Sequence, residues 1–141
     1  MAITQAVCSS FKKELLQGVH SLDTAGDTIK IALYTSSAAL DATTTVYSAT
    51  NEASGAGYVA GGNTLAGQVV TQATTISYVD FTDSSWAASS ITARGALIYN
   101  STEANKAIIV LDFGSDKTSS ASTFTVIFPS ADSSNAIIRA S

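Results

Sequence analysis

His20 and Cys8 are the single histidine and single cysteine of a 141-residue chain, so any Ser-His-Asp or Cys-His nucleophilic arrangement has to be built on them. His20 lies near the C-terminal end of a helical pattern, where the helix dipole favours a cation, and that placement accounts for it without catalysis. No base is placed beside Cys8, which reads as a small apolar filler. One cysteine and one histidine cannot complete a structural zinc site. The carboxylates offer two pairs, Asp80 with Asp83 and Asp112 with Asp116, each flanking a turn. Such pairs serve glycoside hydrolysis and calcium binding. Neither has the dense oxygen-ligand spacing of a calcium loop, and aspartate favours turns because its carboxylate bonds the local backbone. Arg94 stands in an otherwise apolar stretch and is expected either to pair with a carboxylate such as Asp112 or to reach an edge. Gly55–Gly62 is rich in glycine but lacks the lysine and the strand-to-helix context of a phosphate loop. The reading therefore assigns no catalytic residue, no metal ligand and no cofactor site, and no enzymatic activity.

The elements that would position these residues are organised around Ile91–Phe113. Two apolar segments, Ile91–Tyr99 and Ala107–Phe113, flank the polar connection Asn100–Lys106. Both carry apolar residues on both faces, which predicts a hairpin covered on each side at the middle of a layered β-structure. Thr28–Thr35 alternates Ile29, Ile31 and Leu33 inward against Lys30, Ala32 and Tyr34 outward. Further strands are predicted at Thr74–Phe81, ending in a turn at Thr82–Ser85, and at Thr123–Phe128, ended by Pro129, with a last strand at Asn135–Ala140. Gly114–Ser122 reads as a polar turn. Trp86 is expected to bury its ring at a core edge. The expected fold is mainly β, a single β-sandwich or jelly-roll-like domain over residues 1–141 with one N-terminal amphipathic helix.

That helix is predicted over residues 4–22, with Thr4 as N-cap and Val7, Phe11, Leu15, Val19 and Leu22 as its apolar stripe. It either packs on its own sandwich or serves as an arm that docks on a neighbouring subunit. Ser36–Gln72 lacks continuous apolar patterning. Short strands are expected near Thr45–Tyr47 and Thr64–Val70, separated by glycine turns, and the segment is a candidate surface for partners.

Charged residues make up only 13% of the chain, against 45% hydrophobic, so serine and threonine carry much of the polarity. A weakly charged surface of this kind suits a subunit of an assembly. The net charge of −4 argues against nucleic acid as a partner, which requires a basic footprint. The lone cysteine excludes an intramolecular disulfide. No run of eighteen apolar residues predicts a membrane helix. The N-terminus lacks the basic region and apolar run of a signal peptide, so synthesis in a cytoplasm is expected.

The segments FKKELLQGVH, IKIALYTSSAAL, NEASGAGYVAGGNTL, ARGALIYN, VLDFGSDKTSSASTFTVIFP and NAIIR, running in order from Phe11 to Arg139, resemble a family of small virion proteins of tailed bacteriophages. The resemblance rests on ordinary structural residues and no catalytic motif. It implies a capsid decoration, or cement, protein of the virion. Such a β-rich subunit sits on the outside of the shell, bridges neighbouring major capsid proteins and locks the lattice against internal pressure, often as a trimer. Two other readings stay open. One is a neck, tail or fibre-associated component. The other is a carbohydrate-binding module with Trp86, Tyr58 or Tyr78 as stacking platforms.

Overall fold

The computed structural model describes residues 2–140. In chain order the elements are Ala6–Val7 (β1), the helix Ser9–Leu16 (α1), Ile29–Tyr34 (β2), Asn63–Thr64 (β3), Val69–Ala73 (β4), Ile76–Asp80 (β5), Ser84–Ser89 (β6), Thr92–Asn100 (β7), Lys106–Thr118 (β8), Ser122–Val126 (β9) and Ile138–Ala140 (β10). The long apolar segments form β7 and β8, which pair antiparallel at the middle of a five-stranded sheet of order β1-β8-β7-β2-β3. A three-stranded sheet β10-β5-β4 and a two-stranded ribbon β6-β9 complete a mainly β, sandwich-like fold.

Apolar residues on both faces of the central strands mean burial on both faces, as expected. Leu97, Ile98, Ile108 and Val110 are all fully enclosed. Burying each such side chain contributes about 1.5–3 kcal/mol. Phe124, Val126 and Phe128 point inward as the alternation predicts, with Ile127 exposed between them. Trp86 is 4% exposed at the edge of this core, against Tyr58 and Phe124.

The helix is shorter than the stripe suggested. It spans Ser9–Leu16 rather than residues 4–22, and its N-cap position is Cys8, not Thr4. Residues before it find better partners in extended form on the free edge of β8, where Ala6 opposes Val110 and Val7 opposes Ile109. Thr4 donates its backbone N–H to the Leu40 carbonyl, in line with a parallel bridge between Ile3 and Leu40. In the single chain the N-terminal residues thus pair with β8 and with Leu40. At the other end Gly18 takes φ +74°, and the N–H groups of Gly18 and Val19 return to the carbonyls of Leu15 and Glu14. That is a Schellman stop, so the helical spacing of Val19 and Leu22 beyond it is coincidental. Phe11 is the buried residue of the helix, while Leu16 is almost fully exposed.

Two predicted turns are strands. Gly114–Ser122 mostly continues β8 to Thr118, paired to Thr92 and Ala93, and the reversal is confined to Ser119–Ala121, with Ala121 at φ +47°. Thr82–Ser85 contains the start of β6, whose small polar residues hide a strand that buries Ser84, Trp86 and Ser89. The last strand shortens to Ile138–Ala140 on β5.

Ser36–Gln72 differs most from its pattern. Residues 36–62 strap across the five-stranded sheet and close it piecewise. Val46 bridges Lys106 at the start of β8, flanked by bonds from Tyr47 N–H to the Asn105 carbonyl and from Ala107 N–H to the Thr45 carbonyl. Glu52 bridges Tyr34 on β2, where Ala53 N–H reaches the Leu33 carbonyl. Ala32 and Tyr34, expected to face outward, are therefore fully buried beneath covering chain. The strap rejoins the sheet at Gly62, φ +78°, where a Cβ would overlap the Ile31 carbonyl oxygen. Gly62→Ala is expected to destabilise by about 2 kcal/mol, from left-handed strain alone, before any backbone shift. A chemical-denaturation midpoint equal to the parent's would contradict this close approach.

Candidate functional site

Two polar clusters stand out, and both tie elements together. The first is built on the strap. Tyr47 stacks on Tyr99 of β7 at 4.7 Å between ring centroids. The next residue, Ser48, accepts the Tyr34 hydroxyl through its carbonyl at 2.6 Å. Glu52 then receives three donors: the Tyr47 hydroxyl on Oε1 at 2.6 Å, and the Tyr58 hydroxyl and Gly61 N–H on Oε2 at 2.6 and 2.8 Å. The Tyr58 oxygen accepts the Leu33 N–H at 2.9 Å, and the Tyr99 hydroxyl donates to the Gly61 carbonyl at 2.6 Å. Burial raises all four phenols above their ordinary range, and the Glu52 carboxylate raises them further; Tyr99 is pushed up to about 12.

The second cluster joins α1, the loop after it and the end of β7. Asn100 is fully buried, and its amide is fully used. Nδ2 donates to Asp27 Oδ2 at 2.7 Å and to His20 Nδ1 at 2.9 Å, while Oδ1 accepts the N–H groups of Thr102 and Glu103. Because Nδ1 of His20 accepts, the ring hydrogen sits on Nε2 and is donated to Glu14 Oε1 at 3.0 Å. The ring packs on Phe11, 5.0 Å away. His20 thus lies past the helix end with no exposed side-chain surface, serving as a spacer between a carboxylate and an amide.

The remaining candidates are dispersed. The Cys8 thiol is buried and pushed up to about 11, first by desolvation and then by the Asp41 and Glu14 carboxylates, which opposes formation of the nucleophilic thiolate. Asp83 accepts the Phe128 N–H at 2.8 Å, a tie across 45 residues that fastens the start of β6 to the end of β9. Arg94 and Asp112 pair as expected, Nε to Oδ1 at 3.0 Å, and the Gly114 N–H also donates to that oxygen. The Gly114 N–H first and Arg94 second hold the Asp112 carboxyl below its usual range. Both side chains are partly solvated, so Arg94→Ala is expected to cost under about 1 kcal/mol, and less in high salt. A salt-independent loss well above that in a denaturation series would mean the pair is energetically buried.

Among the described residues no three His, Cys, Asp or Glu side chains gather as a metal-binding group, and no helix is long and apolar enough to cross a membrane. Trp86, Tyr58 and Tyr78 do not form one open aromatic platform. Trp86 is enclosed, Tyr58 is half-buried with its hydroxyl on Glu52, and Tyr78 lies on β5 in the other sheet. Two grooves on the surface are shallow. One, about 400 Å³, lies between Phe113, Lys117 and β9; the other, about 390 Å³, lies between Leu15, Leu22, Val70, Tyr78 and Ile138. The Asn100 cluster was not foreseen: Asn100 read as the first residue of a polar connection, and the one available signal was a polar residue closing an apolar strand. No family model, no curated protein and no solved structure matches the chain.

Proposed function

We propose that the chain is a non-enzymatic structural protein of a tailed-bacteriophage virion, a decoration subunit that binds the outer surface of the major capsid lattice and stabilises the shell. The observation that carries this reading is the distribution of exposed apolar side chains over a weakly charged surface. Leu16 at the end of α1, Val59 in the strap and Ile127 after β9 are 90%, 76% and 75% exposed, and Val69 and Val70 on β4 are also open. They belong to separate elements, so each offers a small contact of its own to a different neighbour. Several weak contacts made at once give an avidity that none has alone. The resemblance to small phage virion proteins supports the same reading. The segments that carry it fall on α1, β2, the strap, β3 and β7 to β10.

Self-association, with a trimer favoured, belongs to the same proposal. The test is a cryo-EM reconstruction of the purified particle that carries this chain. Density on the icosahedral shell at hundreds of copies is the expected result. Density confined to the neck or tail would overturn decoration in favour of a tail-associated role, and absence from the particle would overturn the virion assignment altogether.

A further inference from the structure

We draw no further inference here: the strongest candidate, the apolar groove of about 390 Å³ between Leu15 and Leu22 on one side and Val70, Tyr78, Val79 and Ile138 of the three-stranded sheet on the other, is an unpartnered face, and nothing in the structure shows what covers it.

Discussion

Replacing Asn100 by alanine is expected to lower stability by about 3–5 kcal/mol, through unsatisfied buried partners and a small cavity. The side chain is fully enclosed, and its amide meets four partners, two in the loop after α1 and two in the turn after β7. Alanine strands His20 Nδ1 in the interior and frees Asp27 from the end of β7. It also removes the acceptor that holds the Thr102 and Glu103 N–H groups in the turn to β8. The turn carries Ala104 and Asn105 at φ +55° and +59°, conformations that L residues adopt at a cost, so it depends on such external bracing. Asn100→Asp separates the two halves of the role. It keeps an acceptor for the two N–H groups but loses both donors and sets a carboxylate against Asp27. A near-parental value would assign the energy to the turn, and a loss as large as alanine's would show that holding the two N–H groups does not offset the lost donors and the new contact with Asp27. Denaturant unfolding of both variants, read as midpoint and slope, gives the result. A loss below about 1 kcal/mol for alanine would mean that water replaces the amide without penalty.

How much of this was legible follows from the range of the interactions. β7 and β8 could be read because burial on two faces leaves an apolar run that no half-exposed strand carries. Arg94 and Asp112 could be paired because a lone cation in such a run needs a nearby carboxylate. The limits of α1 could not be read from its stripe. Val19 and Leu22 keep helical spacing after Gly18 has ended the helix, and Val7 keeps it while lying in a strand. Periodicity reports which side chains are apolar, and competition from the free edge of β8 decided the conformation. The strap was the least legible stretch. It pairs with β8 through the single bridge at Val46 and with β2 through the single bridge at Glu52, so no alternation has room to develop. Its anchors are phenolic hydroxyls meeting carbonyls and a carboxylate 5 to 38 residues away, and no local pattern encodes such partners. The Asn100 cluster was hidden for the same reason, since its contacts to His20 and Asp27 span 80 and 73 residues.

The strap also predicts how the protein fails in alkali. Tyr34, Tyr47, Tyr58 and Tyr99 all hold their protons above the ordinary tyrosine range, because burial and then Glu52 disfavour the phenolate. An unfolded chain releases those protons near pH 10. Below that pH both states are protonated and the contribution is intact. Above it the unfolded chain binds fewer protons, so stability falls as pH rises through about 12, where Tyr99 ionises in the folded state, and beyond for the others. For the enclosed pair Tyr34 and Tyr99, the loss is about 1.4 kcal/mol per pH unit each. Together the two remove about 5–6 kcal/mol between about pH 10 and pH 12, which reaches the low end of a typical stability of about 5–15 kcal/mol, so cooperative unfolding is expected at about pH 12 or above. Tyrosinate absorbance from these four residues should therefore appear together with loss of the β-sheet circular dichroism. Gradual tyrosinate formation with the sheet signal intact would show that the phenols are open to solvent and would remove the strap's role. Glu52→Leu gives the companion measurement at neutral pH. It leaves the Tyr47 and Tyr58 hydroxyls and the Gly61 N–H without their carboxylate, and is expected to cost about 2–4 kcal/mol. Glu52→Gln keeps the shape and one acceptor oxygen, so it should lie between that variant and the parent. If Gln were as costly as Leu, the strap's attachment to the sheet would depend on both carboxylate oxygens accepting, and a side chain of the same shape would not suffice.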